Sequence, residues 1–188
     1  MYRQADFRLR PMADKDKTLI LTWRNSDRVR LNMYNDHVIG VQEHERWFDA
    51  ASADERGRYL IFEHNTQPLG FVSFTRIAPL DQRCTWAFYI GEPDVKPGTG
   101  AVMEFLALKY AFGPLALRKL CCEVFSFNSG VVRLHERFGF QREGLLRSHH
   151  LKGEKFEDVV LLARFAEGWS EDRRALARKL FGTLEEQA

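Results

Sequence analysis

The segment Lys96-Pro97-Gly98-Thr99-Gly100-Ala101 stands between a β-rich run and a helical one. The first N–H groups of a helix have no intrahelical partner and lie at the positive end of its dipole, so such an entry can hold an anion. Two glycines let the backbone come close to phosphate-like oxygens that a Cβ would keep away. The segment lacks the Gly-Lys-Ser/Thr ending of a P-loop, and Met103 stands where a dinucleotide fingerprint needs its third glycine. An ordinary glycine-containing helix entry would look the same, so the motif needs support from its surroundings.

Glu123 sits inside the apolar run LCCEVF. Desolvation there would raise the pKa of its carboxyl, which suits a general base; an arginine or backbone donor that simply satisfies the carboxylate is the structural alternative. The adjacent Cys121 and Cys122 would point to opposite faces of a strand. They invite a covalent mechanism, but no histidine adjoins them, and buried strand cysteine is usually inert packing. The pair His149-His150 has no carboxylate partner at helical metal-ligand spacing, so no metal is assigned.

The elements that must position these residues follow from periodicity. FRLRPM alternates as a half-buried edge strand, and residues 14–33 carry a helical period broken at Asn25-Ser26 into two short helices. A third helix runs over about 42–53, with Trp47 and Phe48 on its apolar side. YLIFEH, PLGFVSFTRI and CTWAFYI form an antiparallel meander. The glycine loop then opens a helix, AVMEFLALKYAF, and KLCCEVFSF is the next strand. A helix follows from Asn128 to a C-cap at Gly139, then two strands around Lys152-Gly153-Glu154, and a closing amphipathic helix over about 166–180.

The 188 residues fit one domain with its core over about 7–169, and 45% hydrophobic residues exclude a disordered chain. Basic and acidic side chains number 28 and 26 and divide evenly along the chain, which argues against a nucleic-acid partner held by charge. Three cysteines without CxxC spacing, no apolar run of membrane length and an opening unlike a secretion signal suggest a reduced cytoplasmic protein without a membrane partner.

The order of strand, glycine loop, helix, strand, Asn128 and a helix ending in Phe138-Gly139-Phe140 resembles the GNAT acetyltransferase family, and the resemblance runs from Phe7 to Trp169. Gly98 and Gly100 match the family's acyl-CoA motif, while Val95 stands where Gln or Arg is common. Asn128, Gly139 and Phe140 match its later motif, with His135 in the tyrosine place. The resemblance implies an α/β fold of the α+β kind: a mixed, mostly antiparallel sheet of about six or seven strands, splayed where acetyl-CoA inserts, with helices on both faces. WRNSDRVRLNM, GFVSFTRI, WAFYIGEP and KLCCEVFSFN are further similar to the UDP-4-amino-4,6-dideoxy-N-acetyl-β-L-altrosamine N-acetyltransferases of pseudaminic acid biosynthesis, which serves flagellin glycosylation.

That resemblance implies direct acetyl transfer to the C4 amine of a UDP-linked amino sugar in a ternary complex, and it allows a homodimer. Lys96, Gly98, Thr99, Gly100 and Ala101 would bind the pyrophosphate, Tyr89 and Ile90 the pantetheine edge, and Asn128 its other side. Arg24, His44, Thr75, Arg76 and Tyr89 are carried over for the nucleotide. The two arginines could pair with a diphosphate, and Tyr89 or Trp47 could stack on uracil, although an aromatic at helical spacing is usually core and Trp47 stays outside the candidate site. Glu123 would be the base and His135 the acid for the leaving thiolate. Two other readings remain at this level: acetylation of ribosomal-protein or other protein N-termini, and an acetyl-CoA-binding domain without chemistry.

Overall fold

The computed structural model describes residues 2–182. A seven-stranded sheet organises them: β1 (Phe7–Pro11), β2 (Arg58–His64), β3 (Gln67–Ala78), β4 (Arg83–Ile90), β5 (Lys119–Phe125), β6 (Gln141–Lys152) and β7 (Lys155–Phe165). Their spatial order is β1-β2-β3-β4-β5-β7-β6, so β1 is an edge strand. Every pair is antiparallel except β4 with β5. The helices are α1 (Lys17–Asn25), α2 (Asp27–Arg30), α3 (Val41–Ala53), α4 (Thr99–Phe112), α5 (Ser129–Arg137) and α6 (Trp169–Phe181).

Alternation along the strands feeds two cores. Leu60, Phe62, Val72, Phe74, Trp86, Leu120 and Cys122 face one side, where α4, α5 and α6 cover them. Ile61 and Phe71 face the other and pack with Ile20 and Trp23 of α1 and Phe48 of α3. Strands buried on both faces read as apolar runs, which is the texture of β2 and β3. Helix α4 is itself buried nearly all round, Val102, Met103, Phe105, Ala107, Leu108 and Ala111 all being sealed from solvent. At the end of α5, Gly139 takes φ +81°, the left-handed residue with which helices commonly stop.

The edge of the sheet is fastened to α1 by ions rather than by oil. Arg10 of β1 donates to both carboxylate oxygens of Asp16 (2.6 and 2.7 Å) and to Glu63 of β2 (2.6 Å), while Arg8 takes the other Glu63 oxygen at 2.6 Å. Asp16 and Glu63 are buried, and the guanidinium beside them holds both carboxyls below their ordinary values against the opposing effect of burial.

The one parallel pairing is also the shortest. β4 and β5 share only Arg83↔Lys119, Cys84↔Leu120 and Thr85↔Cys121. Beyond Thr85 the strands part, leaving Trp86–Ile90 of β4 without a partner strand on that side, whereas β5 stays paired to β7 through Phe125.

Candidate active site

The parting strands open a cleft of ≈ 380 Å³ between β4 and β5, floored by α5 and mouthed by the start of α4. Gly100 lines it, and a Cβ built there would meet nothing nearer than Leu134 Cδ2 at 4.0 Å. A side chain at 100 would therefore project into open cleft. Gly98 caps α4 with φ +93°. The loop is held from behind: Thr99 Oγ1 donates to the Lys96 carbonyl (2.6 Å), and the Tyr2 hydroxyl donates in turn to Thr99 Oγ1 (2.9 Å). The amides of Thr99 and Ala101 turn to the carbonyls of Lys96 and Gly98, whereas those of Gly98 and Gly100 have no partner among the described residues. Of the five loop residues expected at an anion, the two glycines present free backbone donors, and Thr99 and Ala101 build the loop that aims them. Lys96 lies with its ammonium over the Tyr2 ring (5.0 Å).

Asn128 lines the cleft at the head of α5, as does Ile90, whose carbonyl accepts from Arg28 (3.1 Å) and is thereby withdrawn from any ligand. His135 lies in its floor, almost fully buried between Trp86, Phe88 and Phe140, with Nδ1 2.8 Å from Glu104 Oε1. Cys122 is buried there too, and burial pushes its thiol well above the ordinary range; Cys121 is half-buried and moves the same way. Thiols held protonated are poor nucleophiles, which disfavours an acyl-enzyme.

Glu123 overturns its expected setting. It is exposed on the cleft wall, not desolvated, because its apolar sequence neighbours Cys122 and Val124 face the opposite side of the sheet. Its partner is the Tyr34 hydroxyl, which donates to Oε2 at 2.6 Å. Tyr34 comes from the loop between α2 and α3, packs on Phe125, and accepts at its carbonyl from His150 (2.9 Å). Lys152 ties the same loop down through Met33 O (2.8 Å) and Asp36 (2.7 Å). Burial, then the Glu123 bond, raises the Tyr34 phenol above its ordinary value, and the Arg76 charge opposes this.

On the face covered by α1 and α3 lies a second pocket, ≈ 250 Å³, that shares Met33, Ala87, Phe88 and Tyr89 with the cleft. Arg24, His44 and Tyr89 all line it. Arg24 Nη2 donates to Asn35 O (3.2 Å), but Nη1 is buried without a partner, and burial lowers the pKa of the guanidinium. The Tyr89 hydroxyl is likewise buried and unpartnered, and burial raises its pKa. His44 spends Nε2 on the Lys17 carbonyl (2.7 Å), pinning α3 to α1, and offers the pocket its ring edge. Thr75 and Arg76 are not brought into this pocket. A bulge between Thr75 and Ala78 turns the end of β3, Arg76 adopts φ +51°, and its exposed side chain lies toward Tyr34 instead.

Sequence reasoning weighed Trp47 but left it outside the site, and missed Tyr34 and Glu104. Trp47 is 38% exposed at the pocket rim, stacked on His44 and edge-on to Phe71; of the pair Trp47-Phe48 only the phenylalanine enters the core. Glu104 is the sole carboxylate in α4, and an acid inside an apolar helix is itself a signal that a partner awaits it. Among the described residues, no His/Cys/Asp/Glu group could hold a metal ion.

An edge-lined slot with free helix-entry amides at its mouth, joined to a pocket with buried hydrogen-bond donors, defines a two-substrate transferase of the acyl-CoA type. Residues 6–141 match the model of the acetyltransferase (GNAT) domain, and the chain belongs to that family of acetyltransferases. It is 30% identical over 122 residues to acetyltransferase PseH of Campylobacter jejuni, covering 65% of this chain and 74% of that one. It is 28% identical over 125 residues to the SPbeta prophage-derived uncharacterized N-acetyltransferase YokL of Bacillus subtilis, covering 64% and 69%. Spermidine N-acetyltransferase of Vibrio cholerae, solved with CoA and spermine, shares the fold at a TM-score of 0.82 and 21% identity, over 88% of this chain and 99% of that one. No helix among the described residues is long and apolar enough to cross a membrane.

Proposed function

We propose that this N-acetyltransferase acetylates the C4 amine of a UDP-linked 4-amino-4,6-dideoxy sugar on the pseudaminic acid route that supplies flagellin glycans. The observation that carries the reading is the pair of orphaned donors in the second pocket, Arg24 Nη1 and the Tyr89 hydroxyl. A buried donor without a partner costs about 1–3 kcal/mol, so its partner is expected in the ligand. A guanidinium in that place favours a phosphate or the oxygen-rich edge of a uracil, and Glu43, which lines the same pocket, has its carboxylate engaged by His37 (2.9 Å). The aromatic lining by Trp47, Phe71 and Tyr89 suits a flat ring. At ≈ 250 Å³ the pocket falls below the ~300–1,000 Å³ that houses a whole drug-sized ligand, so it takes one end of the acceptor while the rest crosses Ala87 toward Glu123. The similarity to PseH points the same way.

Acetyl-CoA, when bound, supplies an acetyl thioester. The free amides of Gly98 and Gly100, with Lys96 beside them, fit its pyrophosphate; the unpaired edge of β4 at Tyr89 and Ile90 and the Asn128 side chain fit the pantetheine. Residues 87–89 are common to both cavities, so the amine meets the acyl carbon there, and the β4 edge donates N–H groups to the developing oxyanion. Glu123 accepts the amine proton, directly or through water, with Tyr34 holding its carboxylate in place. His135 gives a proton from Nε2 to the departing thiolate. We place the protein in the cytoplasm, as one domain over 1–188, and expect a homodimer.

Incubation with acetyl-CoA and, in turn, the UDP-4-amino sugar, spermidine and peptides with free N-termini, read by mass spectrometry, tests the assignment. A 42-dalton gain, the mass of an added acetyl group (about 42), on the UDP-sugar alone is expected. Acetylation of spermidine or of peptide N-termini with none of the sugar would overturn it.

A further inference from the structure

Glu104 belongs to α4 and lines neither cavity, yet it is completely buried and its Oε1 lies 2.8 Å from Nδ1 of His135 on α5. Its second oxygen, Oε2, has no partner. The two nitrogens of an imidazole leave the ring on different edges, so a bond at Nδ1 fixes where Nε2 points. His135 lines the cleft, and its Nε2 makes no hydrogen bond among the described residues. We propose that Glu104 is the positioning residue for the departing thiolate's proton: it turns His135 so that Nε2 faces the cleft, and it keeps on the pair the proton that Nε2 hands over. The inference rests on the acetyl-transfer reading above and extends it to a residue outside the site.

The reason lies in net charge. Carboxylate with imidazolium, or carboxylic acid with neutral imidazole, both sum to zero; removing one more proton leaves a single negative charge in a dry core, which is disfavoured. The groups facing the pair are the Arg137 charge on α5 and the Cys122 thiol on β5, which burial keeps neutral; Trp86, Phe88 and Phe140 supply the remaining walls. Burial raises the Glu104 carboxyl above its ordinary value, in keeping with a pair that holds its proton. In the step itself the Nε2–H bond breaks, an S–H bond forms on the thiolate, and the pair regains a proton from water once the cleft empties.

Glu104→Gln keeps an oxygen that can accept from Nδ1–H but removes the charge, and Glu104→Asp keeps the charge. Nitrogen-15 resonances of histidine-labelled protein, followed from pH 5 to 9 without substrates, report the His135 protonation directly. We expect His135 to lose its second proton at least one pH unit lower in Glu104→Gln than in the wild type, a tenfold shift in that equilibrium, with Glu104→Asp restoring most of it. Single-turnover acetyl transfer should show the same displacement of its basic limb: about a tenfold loss at pH 8.5, a smaller one at pH 6, and acetyl-CoA affinity unchanged. An identical His135 titration in the wild type and Glu104→Gln, or a loss equal at every pH, overturns the proposal. The titration needs no acceptor, so failure of the UDP-sugar as substrate with the shift intact faults the acceptor assignment alone.

Discussion

Replacing Arg24 by methionine should separate stability from function with opposite signs. The side chain loses one made bond, Nη2 to Asn35 O at 3.2 Å, and one unmade bond, the buried Nη1 without a partner. The made bond is solvent-exposed and contributes about 0.5–1.5 kcal/mol, and the orphan costs about 1–3, so the free protein should fall between about 0.5 kcal/mol less stable and about 2.5 kcal/mol more stable, methionine keeping the packing of the aliphatic stem. Binding should move the other way. A hydrogen bond from the guanidinium to a phosphate or carbonyl of the acceptor contributes about 1.5–3 kcal/mol, and at 1.4 kcal/mol per decade its loss raises KM about 10- to 150-fold. The bond is made in ground and transition states alike, so kcat should change little. Urea unfolding of the free protein and steady-state kinetics against the UDP-amino sugar measure the two halves. A variant destabilised by more than 1 kcal/mol with an unaltered KM would show, against the usual ~1 kcal/mol worth of such a bond, that Arg24 only braces the loop at Asn35.

Gly100→Asp should leave the fold intact, since a side chain there meets open space, but weaken acetyl-CoA binding by at least about tenfold in calorimetry; equal affinity would remove the loop from the site. Glu123→Gln should lower kcat about 100- to 10,000-fold at neutral pH, with the loss shrinking where the amine is already neutral, and a loss below threefold, far under that ~100-fold floor, would assign the rate to positioning instead. Cys121→Ala and Cys122→Ala should retain turnover, because burial holds both thiols protonated; acetylated cysteine in quenched wild-type enzyme would contradict direct transfer. Asp16 and Glu63 are depressed below their ordinary 3.8 and 4.5, so their contribution is complete above those values and fades as pH falls through the lower, folded ones. Stability measured from pH 7 to 2.5 should therefore fall more steeply in the wild type than in Arg10→Met, and parallel curves would deny the network that role.

The fold was legible because each strand's alternation and each helix's period are local facts. The Asn25-Ser26 break, the glycine-loop entry to α4 and the Gly139 stop all fall where the sequence places them. The site was legible only as far as locality reaches. Glu123 was misjudged by its immediate neighbours: in a strand the residues that share a face are two apart, so Cys121 and Phe125, not Cys122 and Val124, describe its surroundings. Phe125 does share them, for it carries the Tyr34 ring whose hydroxyl bonds Glu123. Thr75 and Arg76 were misplaced for a different reason, a bulge at the end of β3 that no residue pattern announced and beyond which neither residue lines the pocket of Arg24. Glu104 lies between these cases. That an acid in AVMEFLALKYAF must be paired follows from the cost of burying a lone charge. Which residue pairs with it does not follow, because His135 is thirty-one positions further on and reaches it only when α5 is laid against α4 across the same face of the sheet.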